Sequence, residues 1–551
     1  MPPAKPPPAR APLACGALGG FDRDRVLRMG AALGTEPVHE DDDSILLLDR
    51  EPVAWQAGEA RGLGWIDADV WQPGPVSGWE EAARRGLTGF VATGRRRFLH
   101  SAVNGVAPLY WMEDGDATYF ASRIDPLVRA APGPLSIDWE AWAAIIALRN
   151  PLGERTPFAE VSRLGPFRTL RRRRGRSRVK TPTWAWTEVD PGAGLERAAD
   201  GVAEALRASL SQLPDGIVCP LSGGRDSRML CCALAAEGRV ARVVTGSDDE
   251  GEALEERLAA PVAEVLGVPQ EQLPGYPERY PADWEERARR VEYQFVDHAW
   301  LVPVAQRLEG LGTPVPDGFV IDTLIQSGNH FSPPEVFEAR RGRTRNLALF
   351  DALRIYGKAQ LALDENLREP IVARARDQFL AVTRPLVGHP SQNPLSIYVT
   401  RSLRGISQYP TGLLGTGSPV IAPAAGDQVV SALLSATQEE KRDSRLYSAV
   451  FERLAPQADG LPSTADTPRA GPRLPRRWLS TEALDAYRAS LAEGPLAGHL
   501  APQLRTWLAD PASGELSGDL RLGMEAVSLL HAWWRRYRDV LREVDVADLA
   551  A

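Results

Sequence analysis

Short apolar runs separated by turn residues fill the first third of the chain, from about residue 15 to residue 180. The runs are rich in β-branched and aromatic residues, and this pattern predicts strands of an antiparallel sheet. The clearest of them read SILLLD, GFVATG, RRFLHSA, APLYWME and ATYFASR.

The pattern changes near residue 190. LERAADGVAEALRASLSQL has its apolar residues at helical spacing, and it is followed by the strand-like GIVCPL. A helix over 226–237, the strand RVARVVTG and the helix EGEALEERLAAPVAEVLG come next. Alternation of strand and helix predicts a parallel sheet, which binds ligands at the carboxyl ends of its strands. Residues 336–384 and 425–454 are expected to be mostly helical, and 454–477 form a long Pro/Gly/Ser-rich loop.

Length and composition narrow the class of protein. A chain of 551 residues is too long for one core, so two or more domains are expected. The net charge of -8 gives no support to a nucleic-acid partner. The four cysteines form no disulfide or zinc pattern, and no apolar run has the length of a membrane span. With a proline-rich start that lacks a signal core, these features predict a cytoplasmic protein without a membrane partner.

The junction between GIVCPL and the following helix carries the main chemical signal. Ser222, Gly223, Gly224 and Ser227 lie where a strand ends and a helix begins. Consecutive amides at such a turn form an anion-binding concavity, and the helix N-terminus adds partial positive charge. Asp226 suits this place if a divalent cation lies between it and the anion, because Mg²⁺ prefers carboxylate and phosphate oxygens. The turn therefore predicts a Mg²⁺–polyphosphate site; the structural alternative is a tight turn that caps a helix.

LSGGRDS resembles the S-G-G-x-D-S pyrophosphate loop of the ATP-pyrophosphatase class, and nearly the whole chain resembles the asparagine synthetase superfamily. The resemblance implies an α/β fold with two domains. A flexible tail (1–14) would precede a degenerate Ntn-hydrolase-like (glutaminase-like, αββα) domain over 15–185. A parallel-sheet ATP-pyrophosphatase (adenine nucleotide alpha-hydrolase-like) synthetase domain would occupy 190–551.

PVPDGFVIDTLIQSG is similar to that family's second acidic motif. By this resemblance Gly318 would contact the ribose of ATP, and Asp322 would hold Mg²⁺ and pyrophosphate with help from Asp317. The alternative for both aspartates is a turn and a helix cap. Backbone groups at Leu221 and Thr245 would flank the adenine, and Gly246 is a further candidate for cofactor binding. The acidic run SDDEGE is expected to be the capped start of a helix.

Departures from the family pattern indicate changed chemistry. Cys15 takes the place of the glutaminase nucleophile, but residues precede it and the glutamine-binding motifs are absent, so this domain is expected to be an inactive scaffold. Phe319 replaces the Glu of asparagine synthetases and the Tyr of β-lactam synthetases, and is expected to pack against a bulky peptide. The usual loop lysine is missing, which leaves Lys441 or Arg469 as a source of charge.

This profile resembles the lasso peptide cyclases, or macrolactam synthetases. The resemblance implies adenylation of an Asp or Glu side chain of a precursor peptide, with release of pyrophosphate. The N-terminal amine of the peptide then attacks, AMP leaves and an isopeptide-bonded ring closes. A leader-binding protein and a leader peptidase are implied partners, and ATP and Mg²⁺ are the implied cofactors.

Glu292, Asp297 and His298 are candidates to orient or deprotonate the amine, and the alternative for each is a structural role. The rival functions are a β-lactam synthetase, an ammonia-dependent asparagine synthetase and a catalytically dead nucleotide-binding protein. Two basic runs, Arg95–Arg97 and Arg171–Arg174, are interpreted either as solvated positions or as a docking surface for a partner.

Overall fold

The structure is a computed structural model that describes residues 11–66, 76–326, 340–355, 358–458, 460–468, 471–511 and 515–550. It confirms an α/β chain that contains both antiparallel and parallel sheets. Arg469, the first ten residues of the expected tail, and 336–339 and 356–357 of the expected helices lie outside the described residues.

The strands of the described part are as follows. They are β1 (Ala14–Gly19), β2 (Glu36–Asp41), β3 (Ser44–Leu48), β4 (Val53–Ala57), β5 (Ala60–Ile66), β6 (Leu87–Thr93), β7 (Arg96–His100), β8 (Tyr110–Asp114), β9 (Ala117–Ala121), β10 (Ser162–Arg163), β11 (Thr169–Arg173), β12 (Arg176–Lys180), β13 (Ile217–Pro220), β14 (Val240–Gly246), β15 (Gln270–Leu273), β16 (Val315–Pro316) and β17 (Val420–Ile421).

The α-helices fall into two groups along the chain. The first group is α1 (Arg23–Leu33), α2 (Trp79–Arg84), α3 (Ile124–Arg129), α4 (Trp139–Leu148), α5 (Leu195–Leu210), α6 (Arg225–Ala236), α7 (Leu254–Leu266), α8 (Tyr280–Arg290), α9 (Leu301–Leu308) and α10 (Ile321–Ile325). The second is α11 (Gly342–Ile355), α12 (Glu365–Thr383), α13 (Gln392–Ile397), α14 (Asp427–Ser435), α15 (Gln438–Lys441), α16 (Arg445–Leu454), α17 (Thr481–Ala492), α18 (Pro502–Ala509), α19 (Gly518–Tyr537) and α20 (Ala547–Ala550).

The first third of the chain forms two antiparallel sheets, with strand orders β10-β8-β9-β1-β3-β2 and β12-β11-β7-β6-β5-β4. All five of the clearest predicted strands are confirmed as β3, β6, β7, β8 and β9. Leu46 and Leu48 of β3 pack in a core with Phe90 and Leu99 of the other sheet. The alternate residues of β3 pack with α1 and α3 on the outer face. A strand buried on both faces explains why SILLL is apolar throughout.

The parallel sheet predicted after residue 190 is confirmed, with strand order β13-β14-β15. A second parallel pair, β16 and β17, lies beside β13. Helices α6 and α7 each connect one strand of the sheet to the next, as the alternating pattern predicts. The carboxyl ends of β13, β14 and β16 therefore lie at one edge, and the predicted motifs follow β13 and β16.

The remaining helices pack around both the antiparallel and the parallel sheets. One apolar core contains residues from Cys15 to Leu549, so the first third of the chain shares its core with the last helices. The segment after α13 is π-helical over Tyr398–Ile406 and Tyr409–Leu414. π-Helices are rare and are frequently found at functional sites. None of the described helices is long and apolar enough to cross a membrane.

Two expected boundaries are wrong. Ala14 was placed in a flexible tail, but it is buried as the first residue of β1 and pairs with Leu48. The acidic run SDDEGE was expected to begin a helix, whereas α7 begins at Leu254. Ala253, immediately before α7, has a φ of 51° and lies in the left-handed region, so the backbone turns sharply where the helix begins.

Candidate functional site

The predicted phosphate-binding turn lies between β13 and α6 at the carboxyl edge of the parallel sheet. The Leu221 N–H donates to the Val244 carbonyl over 2.9 Å, and the Thr245 hydroxyl donates to the Leu221 carbonyl over 2.8 Å. A Cβ on Gly246 would lie 2.7 Å from a methyl group of Val304, so this glycine permits close packing of α9. The residues expected to lie against adenine therefore sit side by side.

Hydrogen bonds within the turn fix its shape. The Ser222 and Ser227 hydroxyl oxygens are 2.8 Å apart, and the Gly224 N–H donates to the Ser222 hydroxyl over 3.1 Å. The Gly223 N–H donates to the Glu255 carboxylate over 2.7 Å. A Cβ on Gly223 would lie 2.9 Å from the Leu258 Cβ, so only glycine fits at this point. Both amides predicted to bind phosphate thus already bind oxygen atoms of the chain.

Three aspartates predicted from two distant motifs come together beside the turn. Removal from water raises the pKa of Asp226 well above its usual range, and the negative charges of Asp322 and Asp317 add to the effect. The Asp322 N–H opposes it by donating to the Asp226 carboxylate. Burial also raises the pKa of Asp317 to about 6, against a hydrogen bond from the Phe319 N–H.

Gly318 explains how the two motifs approach so closely. A Cβ at this position would lie 2.7 Å from the Asp226 Cβ and 3.1 Å from the Ser227 amide nitrogen. The backbone after β16 therefore lies directly against the first turn of α6. No side chain larger than hydrogen fits between the two segments without moving one of them.

The backbone between Gly318 and Asp322 is strained. Val320 has φ of 83°, in the left-handed region that β-branched residues avoid. Such outliers occur where surrounding structure holds a functional geometry. Val320 is buried, and α10 begins directly after it. The sharp turn directs α10, and with it Asp322, toward α6; the Asp322 carboxylate accepts from the Thr323 hydroxyl.

Phe319 does not face an open pocket. It is 3% exposed and packs in a core with Tyr398, at 6.3 Å between ring centroids. The expectation that it packs against a bulky peptide is therefore wrong in this structure. A bulky apolar ring gains more free energy in the core behind the turn than at the surface of the cleft.

Lys441 lies at the end of α15, and its side chain is buried. Burial lowers the pKa of Lys441 to about 7, and the neighbouring Glu440 only partly offsets this. Three residues later, the Ser444 hydroxyl accepts a 2.7 Å hydrogen bond from Arg225 of the turn. The Tyr447 hydroxyl donates to the Arg225 carbonyl. The segment that carries Lys441 is thus attached to the start of α6.

The three candidates for handling an amine lie in different surroundings. Asp297 binds Arg149 through both carboxylate oxygens at 3.0 Å, and although its burial opposes this, the pairing lowers the pKa of Asp297 to about 2. The Trp300 indole donates to Nδ1 of His298. His298 is exposed toward the cavity, whose walls limit its contact with bulk water and lower its pKa to about 4, so its ring is neutral at pH 7.

Glu292 lies apart from these two groups. Its carboxylate accepts from the backbone N–H groups of Ile124 and Asp125 over 2.6 Å and 3.3 Å. Glu292 therefore caps the start of α3, and its contacts support a structural role and not a role in handling an amine.

Asp297 and His298 line a cavity of about 430 Å³ that reaches the turn through Glu255 and Thr464. Seven of its nineteen lining residues are acidic and three are arginines, so its wall is negative on balance. Four of the seven carboxylates come from the run that the sequence assigned to a helix start. The lining acids are Asp248, Asp249, Glu250, Glu252, Glu255, Asp297 and Glu525. The position of this run immediately after β14, at a ligand-binding edge, was the signal that could have identified it.

The Pro/Gly/Ser-rich segment closes one side of the turn. The Thr464 N–H donates to the Gly223 carbonyl over 3.0 Å. Arg225 pairs with Asp466 at 2.6 Å and donates to the Ser463 hydroxyl. The described part of this long loop is thus attached to the candidate phosphate site.

Cys15 lies within β1, and the chain continues on its amino side through buried Ala14. Burial raises the pKa of the Cys15 thiol to about 11, although a contact with the Thr35 hydroxyl lowers it slightly. A nucleophilic cysteine needs an accessible thiolate, and this environment favours a buried thiol.

Among the described residues, no group of three or more His, Cys, Asp or Glu side chains is arranged to hold a metal ion. Mg²⁺ at nucleotide sites binds one or two carboxylates and completes its shell with phosphate oxygens and water. Asp226 and Asp322, adjacent carboxylates beside the turn, fit that smaller requirement. No protein-family model matches the chain, and no curated protein matches it.

Proposed function

We propose that the protein is an ATP-dependent amide-forming ligase of the asparagine synthetase type that closes a macrolactam ring in a peptide. The observation that carries the proposal is the convergence of two motifs. The S-G-G-R-D-S turn and the D-G-F-V-I-D segment meet through Gly318, which brings Asp226 and Asp322 together at the edge of a parallel sheet.

The residues of the turn have separate roles in this proposal. Amides of Gly223 and Gly224 bind the departing pyrophosphate, with the Ser222 and Ser227 hydroxyls beside them. Asp226 and Asp322 would hold Mg²⁺, which supplies positive charge to the pyrophosphate. Burial, and after it the negative charge of Asp322, raises the pKa of Asp226, and a divalent cation bound between the two carboxylates would offset both effects.

The acidic cavity supports an amine as the second substrate. Its carboxylates attract a protonated N-terminus and leave a polar wall around it. An α-amine has a reference pKa of about 7.7–8.0, against about 10.4 for a lysine amine, so it needs less help from a base to lose its proton than a lysine side chain does. Neither nearby candidate is a strong base, because Asp297 is paired with Arg149 and Nδ1 of His298 accepts from Trp300.

In the proposed reaction, a side-chain carboxylate of the peptide attacks the α-phosphate of ATP and pyrophosphate leaves. The nitrogen of the peptide amine then attacks the acyl carbon, the bond from that carbon to the AMP phosphate oxygen breaks, AMP leaves and the amine nitrogen gives up a proton to water. The β1–β12 part of the chain, with its buried Cys15, serves as a scaffold. A leader-binding protein, a leader peptidase and a cytoplasmic location belong to the same proposal.

The first test is ATP-dependent pyrophosphate release with Mg²⁺ against a panel of acceptors. The panel holds aspartate with ammonia, a β-amino acid, and peptides that begin with glycine and carry Asp or Glu several residues later. The expected result is pyrophosphate release with a peptide that loses one water in mass spectrometry. Asp226→Asn and Asp322→Asn are expected to lower the rate by about 100-fold or more.

The control is Asp485→Asn, which changes an exposed aspartate on α17 and should leave the rate unchanged. Turnover with the amino acids alone would replace the peptide proposal with a small-molecule synthetase, of the β-lactam or asparagine type. Nucleotide binding without pyrophosphate release from any acceptor would contradict the enzymatic proposal and favour a nucleotide-binding regulatory protein.

A further inference from the structure

The two basic runs, far apart in sequence, meet on one surface of the second antiparallel sheet. Strands β7 and β11 are antiparallel neighbours, and Arg171 is paired in register with Phe98. Their side chains line a groove of about 670 Å³ on the outer face of this sheet. We name this surface the arginine groove. Its lining combines the aromatic rings of Trp55, Trp79 and Phe98 with most cations of the two basic runs and with Lys180.

The floor of the arginine groove is apolar and aromatic. Trp55 lies flat over Gly62, where a Cβ would come within 1.9 Å of a ring atom. Trp79 meets Phe98 edge to face, at 6.4 Å between ring centroids. Trp79 and Phe98 are only half-buried, so part of this aromatic surface remains open to a ligand. Such surfaces at a binding site supply contact area, while charges around them supply selectivity.

The cations around the floor divide into two kinds. Arg97 is committed to Asp41 at 2.7 Å, and Arg172 donates to the carbonyls of Gly115 and Gly175. Within the part of the chain that the structure describes, the other cations of the groove form no ion pair with a carboxylate. These are Arg95, Arg96, Arg171, Arg173 and Lys180.

Like charges around one groove repel each other, and the repulsion destabilises the folded chain unless an anion binds there. This chain has an overall charge of -8, so the positive surface is a local exception. β12 is an edge strand, and charged side chains on an edge strand prevent it from pairing with a strand of another chain. The position of β12 therefore accounts for the charges of that strand. This does not account for Arg95, in the turn between β6 and β7, or for Arg96, the first residue of β7.

We propose that the arginine groove binds an acidic, extended segment of a partner protein that carries an aromatic or aliphatic residue. The groove crosses the sheet from β4 to β12, about 24 Å at the usual strand spacing, which an extended segment of about seven residues spans. Carboxylates of the segment would meet the open cations, and its apolar residue would contact Trp79 and Phe98. The net negative charge of the whole molecule disfavours a nucleic acid.

The test uses a fluorescein-labelled octapeptide of Glu and Asp with one central Phe, and the full chain, in fluorescence anisotropy. Saturable binding is expected at about 50 mM salt, and it should weaken by about tenfold or more at about 300 mM. The triple variant Arg96→Glu, Arg171→Glu and Arg173→Glu is expected to lose at least about tenfold in affinity.

The matched control reverses three exposed arginines outside the groove: Arg28→Glu, Arg197→Glu and Arg505→Glu. It changes the net charge equally and should keep the affinity. No saturable binding of the peptide, or equal losses in both triple variants, would overturn the proposal. Tighter groove-dependent binding of a single-stranded oligonucleotide of equal charge would replace the acidic peptide with a nucleic acid. Pyrophosphate release by the groove variant should be unchanged, which separates this test from that of the proposed function.

Discussion

At the scale of single residues, Lys441 combines burial with a charge. The chain has few lysines, and this one has a side chain that is 1% exposed. Burial lowers the pKa of Lys441 from 10.5 to about 7, so its ammonium titrates near neutral pH. A buried lysine of this kind lowers stability and is commonly retained for function.

Lys441→Met is therefore expected to change how stability depends on pH. Between pH 7 and 10.5 the unfolded wild-type chain holds a proton that the folded chain has lost. The free energy of unfolding of the wild type thus rises with pH across this window, by up to about 1.4 kcal/mol per pH unit, and falls as the pH decreases toward 7. The variant should lack this contribution and be more stable at pH 7.

Urea unfolding at several pH values in this window measures the effect, with Lys180→Met, at an exposed position, as the control. If Lys441→Met and the wild type keep parallel stability profiles, the lysine is not buried as described. Under the proposed function, the same variant should also lose pyrophosphate release while it gains stability.

The position of a residue in the fold was predictable from sequence where the residue belongs to a motif. It was not predictable where packing against distant residues decides it. The S-G-G-R-D-S turn and Asp322 stand out because their residue types suit one chemistry at one kind of junction. The burial of Phe319 and the helix-capping role of Glu292 depend on Tyr398 and α3, which the chain supplies from distant positions. No local pattern contains that information.

At the scale of elements, the contact between α6 and the segment after β16 depends on Gly318. Gly318→Ala places a methyl carbon 2.7 Å from the Asp226 Cβ and 2.9 Å from its carbonyl carbon. Because backbone cannot yield as a flexible side chain does, we expect α6 and α10 to separate slightly. Under the proposed function, ATP affinity should fall by about tenfold or more, with little change in the folded content.

Binding of a fluorescent ATP analogue, together with far-ultraviolet circular dichroism, checks this expectation. Gly133→Ala is the matched control, since a Cβ there would have nothing within 4 Å. Equal affinity of the two variants would mean that the approach of α6 to this segment has no part in nucleotide binding.

The elements themselves were predictable wherever one periodicity dominates. The alternating pattern gave the parallel sheet, and its apolar spacing gave α5, whose Val202, Leu206 and Leu210 are buried. The start of α7 was placed too early because acidic residues favour a helix N-terminus in isolation. In the folded chain Asp249 instead pairs with Arg477, 228 residues away, which holds the run in a loop.

At the scale of the whole molecule, the first antiparallel sheet (β10-β8-β9-β1-β3-β2) and the last helices share one core. Trp533 of α19 is fully buried against Trp142 and Phe158, with ring centroids 5.3 Å and 5.0 Å apart. The expected division at residues 185–190 follows the change of pattern along the chain. It does not divide the apolar core into two parts.

Trp533→Ala is expected to lower the free energy of unfolding by about 3–5 kcal/mol, the usual cost of removing a large buried ring. Because the core is shared, fluorescence and circular dichroism should report the loss in the same transition. Trp534→Ala, one position along the same helix and only partly buried, should cost about 1 kcal/mol. Two separate transitions, only one of them shifted, would argue for independent cores.

The hydrogen bond from the Gly223 amide to the Glu255 carboxylate has a consequence for how ligands exchange at the turn. The Glu255 carboxylate accepts a hydrogen bond from the Gly223 amide, which would bind phosphate under the proposed function, so the chain carries its own competitor. A phosphate that arrives must exchange for this carboxylate, and the gain is the difference between two charge-assisted hydrogen bonds. When a phosphate leaves, the carboxylate would take its place on the amide. Under the proposed function, the turn would thus keep its shape between ligands, and the carboxylate would assist the release of a product.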